Sequence, residues 1–277
     1  MQAYYSQADF TLYNGDCMEA LASLADSSID IVITSPPYNT CRNGIIAECR
    51  GIKEMYGKRY DVFVESKTSD EYAQWTSDLF NEFGRVLKDN RAVLYNFGLG
   101  NDSQTSTGNA DWFKTICHVC EHTPFTVADL LFWKKKCALP NNMSPNKSTR
   151  IVEPVIVFCR KGEIGTFVSN KKIINHFETG QNLYSPFYNI FEARNNDGSN
   201  DLNKATYSTE FVDRLINLYC PDGEKSDWTV LDPFNGTGTT GVSAISHGMK
   251  YVGMELSEAQ CAYTVDRLKK GVQLSLF

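Results

Sequence analysis

Val230-Leu231-Asp232-Pro233-Phe234-Asn235-Gly236-Thr237-Gly238-Thr239-Thr240 is an apolar strand that runs into a glycine turn and a helix start. Open α/β sheets bind their ligands at such strand ends. The glycines admit close backbone approach, and the N–H groups of the turn and helix N-terminus are presented to a ligand. No lysine follows them, which argues against a phosphate loop. Glu255 ends the next strand, Tyr251–Glu255, where a carboxylate can accept from ribose hydroxyls.

Some 200 positions upstream, Ile31-Val32-Ile33-Thr34-Ser35-Pro36-Pro37-Tyr38-Asn39 repeats the pattern of strand into turn. The two prolines fix φ and hold the preceding residue extended, so the Ser35 hydroxyl and the Pro36 carbonyl are held in place. Two fixed acceptors suit an exocyclic base amine, whose lone pair is delocalised into the ring until its N–H groups are drawn out of plane. Tyr38 offers a face for a base taken out of its stack. A rigid turn with a packed tyrosine is the plainer alternative for the same four residues.

Between these two turns, strand and helix patterns alternate, as in a mostly parallel sheet. Strands are expected at Phe10–Tyr13, Ile29–Thr34, Ala92–Phe97, Val127–Trp133, Glu153–Cys159, Thr229–Leu231 and Tyr251–Glu255. Helices are expected at Cys17–Leu24, from Thr68-Ser69-Asp70-Glu71 onward, and at Asp111–Val119, Ser208–Leu218, Thr239–His247 and Ser257–Lys270. Asn39–Lys67 and Asn101–Asn109 read as loops. Residues 163–203 are rich in Asn, Lys and aromatics without clear period, and form a candidate recognition insertion in an otherwise single catalytic domain spanning 1–277.

The 277 residues are 42% hydrophobic and 22% charged, ordinary for a globular chain, and no apolar run reaches the length of a membrane helix. The start, Met1-Gln2-Ala3-Tyr4-Tyr5-Ser6, lacks the parts of a signal peptide. Nine cysteines without framework spacing read as reduced thiols, so the expected location is cytoplasmic. Cys117-His118-Val119-Cys120-Glu121-His122 has no second ligand pair behind it, so no metal is expected. The net charge of −6 argues mildly against a nucleic-acid partner, yet Lys134–Lys172 carries a local basic excess compatible with a DNA groove.

With Ser35–Tyr38 and Asp232–Gly238 in this order, the chain resembles the amino-methylating DNA methyltransferases of the β group. Gly15-Asp16-Cys17 resembles a further element of that family, and Asn203–Ile216 resembles the segment before its cofactor motif. That segment usually begins His-Pro-Ala; here it is Asn203-Lys204-Ala205, with Ser208 where a proline would follow. The absence of any Pro-Cys dipeptide argues against a cytosine-C5 enzyme.

The resemblance implies a Rossmann-like α/β methyltransferase sheet of about seven strands, one of them antiparallel, with a small recognition insertion. It implies S-adenosylmethionine as cofactor, held by Asp16, Asp232, Phe234, Gly236, Gly238, Thr239 and Glu255. Catalysis would fall to Ser35, Pro36, Pro37 and Tyr38, acting on a flipped base in double-stranded DNA. Lys134, Lys136, Lys171 and Lys172 would hold phosphates. Serine at the first motif position favours N4 of cytosine over N6 of adenine, and restriction-modification is the associated setting. A homodimer and a cognate restriction enzyme are left open. A nucleotide-binding oxidoreductase is the alternative from another class, but it has no use for the Ser-Pro-Pro-Tyr turn; a non-catalytic DNA-binding relative has no need of both motifs.

Overall fold

The computed structural model describes residues 1–39, 67–98, 110–138, 140, 145–146, 148–198, 202–203 and 206–274. The two expected loops after Asn39 and after Asn101 lie outside them, apart from the ends of the first.

In chain order the strands are β1 Tyr5–Ser6, β2 Phe10–Asn14, β3 Ile29–Thr34, β4 Leu87–Asn96, β5 Phe125–Lys135, β6 Val152–Arg160, β7 Ile173–His176, β8 Asn182–Tyr184, β9 Ile190–Ala193, β10 Thr229–Asp232 and β11 Lys250–Glu255. The helices are α1 Cys17–Ala22, α2 Ser69–Val86, α3 Ala110–His122, α4 Thr209–Tyr219, α5 Thr239–Ser246 and α6 Glu258–Leu274. None of them is long and apolar enough to cross a membrane.

The central sheet has nine strands in the order β1-β2-β11-β10-β3-β4-β6-β5-β9. From β2 to β5 there are seven, of which only β6 is reversed. That is the expected core. Two short edge strands enlarge it: β1 folds back antiparallel on β2, and β9 runs parallel to β5. The sequence hides β9 because only Ala193 of its four residues is buried, leaving no apolar alternation to read.

Strand alternation sorts the core into two layers, as the period of two requires. Ile31, Ile33, Ala92 and Leu94 face one side, where they meet Phe211, Leu215 and Ile216 of α4 and Val265 and Leu268 of α6. Val32, Val93 and Tyr95 face the other, against Leu79, Phe80 and Phe83 of α2. α2 begins at a capping box: Glu71 N–H donates to Thr68 Oγ1 at 3.2 Å while Thr68 N–H donates to Glu71 Oε2 at 2.7 Å.

β4 begins five residues before the expected Ala92. The polar run Lys88–Arg91 masks it in sequence, but Lys88 and Arg91 pair with the buried Asp30 carboxylate of β3. A register shift between Ile29 and Ile31, with Asn90 at φ +59°, absorbs the irregularity.

The expected insertion at 163–203 is only partly separate from this core. Phe167, Val168 and Phe191 pack against it, and β9 joins the sheet. What stands apart is the two-stranded ribbon of β7 and β8, all of whose residues are exposed.

Phe80 is the centre of the second layer, with its ring 4.7–5.4 Å from those of Phe83, Tyr95, Phe125 and Phe158. Phe80→Ala should therefore cost about 3–5 kcal/mol, measured by urea unfolding; a loss below 1 kcal/mol would contradict this packing.

Candidate active site

Because β2, β11, β10, β3 and β4 are parallel, their carboxyl ends meet at one edge of the sheet. A cavity of about 350 Å³ opens there. Both sequence-predicted turns contribute to it, although they are nearly 200 residues apart. Asp16, Ser35, Pro36, Pro37, Tyr38, Phe234, Gly236, Thr239 and Glu255 all line this one cavity.

Asp232 and Gly238 do not line it. Asp232 is wholly buried behind the wall, where its carboxylate accepts from Thr34 Oγ1 (2.6 Å), the Phe234 N–H (3.0 Å), Thr240 Oγ1 (2.7 Å) and Tyr207 Oη (3.2 Å). Gly238 has φ +80°, and a Cβ there would stand 2.5 Å from Thr264 Cγ2. Both residues shape the turn from behind.

Glu255 closes the glycine turn. Its Oε2 accepts from the Gly236 N–H at 2.8 Å and its Oε1 from the Ser257 N–H at 2.9 Å. The Gly236 amide is thus engaged by a carboxylate. Asp16 caps α1 by accepting from the Met18 N–H at 2.8 Å. Gly15 N–H donates to the Glu255 carbonyl at 2.9 Å, bringing Asp16 and Glu255 to the same side of the cavity.

The Ser-Pro-Pro-Tyr turn is anchored at several points. Tyr72 Oη of α2 donates to the Pro37 carbonyl at 2.7 Å. Tyr38 Oη lies 2.6 Å from Asn96 Oδ1 and 2.5 Å from Ser35 Oγ. The Tyr38 ring packs on Gly98, where a Cβ would come within 2.0 Å of it. Asn39, at φ +53°, accepts from the Lys67 N–H and donates to the Lys67 carbonyl, which pins residue 67 beside the turn.

Several contributors escaped the sequence reading. Trp75 fits the apolar stripe of α2 and reads there as core, yet it lines the cavity with its ring 5.6 Å from Phe234. Asn203 sits over Gly236 and donates to Gln260 Oε1 at 3.0 Å, so the segment that departs from His-Pro-Ala still reaches the cavity. Tyr207 and Gln260 also line it. Asn96 and Gly98 carry no local signal, because their importance depends on a turn 60 residues away.

The four candidate phosphate-binding lysines do not form one surface. Lys134 and Lys136 lie at the carboxyl end of β5, the cavity's end of the sheet, paired with Glu192 and Glu210. Lys172 pairs with Asp222 at 3.0 Å, just beyond the C-terminus of α4. Ser208 caps the other end of α4 by accepting from the Phe211 N–H at 3.2 Å, and its hydroxyl donates to the Arg194 carbonyl beside β9 at 2.7 Å. The 11-residue helix separates the two pairs by about 16 Å. Lys171, next to Lys172, lies over the Phe187 ring. His118 bonds Ser77 at 2.7 Å and stacks on His122, so the Cys-His run is tied into helix packing.

A DNA methylase family model matches residues 29–266. The chain is 25% identical over 269 residues to the type II methyltransferase M.HinfI of Haemophilus influenzae, covering 94% of this chain and 68% of that protein. Among solved structures, the cytosine-N4-specific PvuII DNA methyltransferase is similar with a TM-score of 0.71 at 18% identity, covering 98% of this chain and 93% of that one. A putative DNA modification methylase from Thermus thermophilus, complexed with S-adenosyl-L-methionine, gives a TM-score of 0.60 at 20% identity, covering 96% of each chain. At these identities the two structures establish the shared fold.

Burial raises the Asp232 carboxyl above its ordinary range, against the four donors that favour its charged form. The native state then keeps the proton to higher pH than the unfolded chain does. This contribution to stability is full below the unfolded value of about 3.9 and is lost as pH rises through the native one. Asp232→Asn removes the titration. Urea midpoints should show wild type losing ground to the variant from pH 4 toward neutrality; a gap independent of pH would contradict the raised value.

Proposed function

The chain belongs to the DNA methylase family of amino-methylating enzymes, and from that premise we propose that it transfers a methyl group from S-adenosylmethionine to N4 of cytosine in duplex DNA. The observation that carries this reading is the meeting of the Ser35–Tyr38 turn and the Glu255-closed glycine turn in one cavity.

The cavity fits the cofactor. Asp16 and Glu255 supply acceptors for a nucleoside's hydroxyl and amino groups, and Phe234 and Trp75 supply apolar faces. Two carboxylates also suit a cationic sulfonium. They suit a pyrophosphate poorly, since the Gly236 amide that would receive it is taken by Glu255. This speaks against the oxidoreductase alternative. S-adenosylmethionine supplies an electrophilic methyl group.

The chain's own part is to hold the nucleophile. Ser35 Oγ and the Pro36 carbonyl accept from the amine's N–H groups, drawing its lone pair out of the ring. Tyr38 offers its ring to the flipped base. The sulfonium is already a good leaving group, so fixing the amine in line supplies much of the rate. Serine in the first motif position supports cytosine, by resemblance to enzymes of that specificity. Among the lysines, Lys134 and Lys136 share the cavity's end of the sheet, which supports them as the pair that meets phosphates. Their present partners are exposed or half-buried carboxylates, in pairs weak enough to exchange for a phosphate.

Ser35→Ala should lower methyl transfer by about 10²–10³, the cost of losing one fixed transition-state hydrogen bond, while calorimetry shows unchanged S-adenosylmethionine affinity. Mass spectrometry of DNA from expressing cells should show N4-methylcytosine; N6-methyladenine instead would overturn the base assignment, and neither base would overturn the activity. Neutralising Lys134 and Lys136 should flatten the logarithmic salt dependence of DNA binding by about 0.9 per lost contact. Neutralising Lys171 and Lys172 should leave it unchanged, and the opposite pattern would move the DNA to the far end of the sheet.

A further inference from the structure

Asn96 ends β4, is 1% exposed, and has its side-chain amide fixed from both sides. Its Nδ2 donates to the Pro154 carbonyl of β6 at 3.1 Å. A carbonyl only accepts, so this bond decides which way the amide faces and turns Oδ1 toward the Ser-Pro-Pro-Tyr turn. Tyr38 Oη, 2.6 Å away, gives its one proton to that oxygen. At the 2.5 Å contact between Tyr38 Oη and Ser35 Oγ, the phenol oxygen is then the acceptor and Ser35 the donor. Among the described residues, the one other acceptor within reach of the Ser35 proton is the same Asn96 Oδ1, at 3.3 Å. Either way that proton points back into the protein.

We infer that Tyr38 Oη and Asn96 form a positioning chain, Ser35 to Tyr38 to Asn96 to the Pro154 carbonyl, that consumes the serine proton and holds Ser35 Oγ as a pure acceptor for the substrate amine. The inference rests on the role given to Ser35 above and extends it. A stacking ring alone would be served equally by phenylalanine. The hydroxyl is what makes the turn's serine an acceptor instead of a donor competing for the amine's lone pair. Gly98 keeps the chain in register, because a Cβ there would collide with the Tyr38 ring and move its hydroxyl off Asn96.

Rapid-quench single-turnover methylation of duplex DNA tests this with Tyr38→Phe, Asn96→Ala and each of these combined with Ser35→Ala. Unfolding midpoint and S-adenosylmethionine affinity are measured alongside. Each single variant should lower the single-turnover rate about tenfold with cofactor affinity unchanged. In the Ser35→Ala background each should cost less than twofold more, because residues acting through one group are not additive. A merely structural contact would give its full loss in both backgrounds. Tyr38→Phe keeps the ring and the turn, so it decides the matter even if Asn96→Ala fails to fold. A wild-type rate in Tyr38→Phe, or a full tenfold loss on top of Ser35→Ala, overturns the chain while leaving the methyltransferase reading intact. A wild-type protein that transfers no methyl to any DNA overturns both.

Discussion

The buried carboxylate of Asp232 is the constraint on which the site's geometry hangs. A charge with no access to water must be met by donors, and here they come from separate elements: Thr34 at the end of β3, Tyr207 before α4, and Thr240 inside α5. The fourth donor, the Phe234 N–H, belongs to the turn that follows Asp232 itself. Meeting this one group fixes the strand that leads into Ser35 relative to the strand that leads into Gly236. The two chemical halves of the cavity are thereby held at a set distance from each other.

Around this anchor the polar groups of the site are mostly spoken for. Glu255 closes its own turn through Gly236 and Ser257, Asn203 bridges to Gln260, and Asn96 ties the first turn to β6. Such bonds hold groups in place before a substrate arrives, so little reorganisation is left for the reacting complex. The reversed strand β6 matters here. Running antiparallel between β4 and β5, it presents the Pro154 carbonyl beside the end of β4, where Asn96 needs an acceptor.

Surface charge follows the same polarity of the sheet. β3, β4 and β5 all leave the sheet where the cavity opens, and that end also carries Lys134, Lys135 and Lys136, each paired with a carboxylate. The far end carries Lys172 with Asp222 and the exposed β7–β8 ribbon. A net acidic protein can still meet an anionic partner at one end, provided its local pairs exchange readily.

Fold class, the order of strands and helices, and the two turns were legible in the residues themselves. Buried parallel strands are short apolar runs, proline and glycine turns are local in sequence, and the capping box at Thr68 and Glu71 spans only four positions. Most of the candidate cavity residues could be named for the same reason. The edge strand β9 was not legible, since a strand with one buried residue has no pattern. Nor was the early start of β4, whose polar residues are satisfied by Asp30 across the sheet. Tertiary structure alone decided that Asp232 and Gly238 stand behind the wall, that Trp75 belongs to the cavity, and that Asn96 stands against Ser35 and Tyr38. It also split the lysine cluster between two ends of the sheet, because a helix of 11 residues carries neighbours in composition far apart in space. A sequence records which groups can donate, accept or pack. Which of them meet depends on strand register and helix direction, and these are set by burial across the whole sheet.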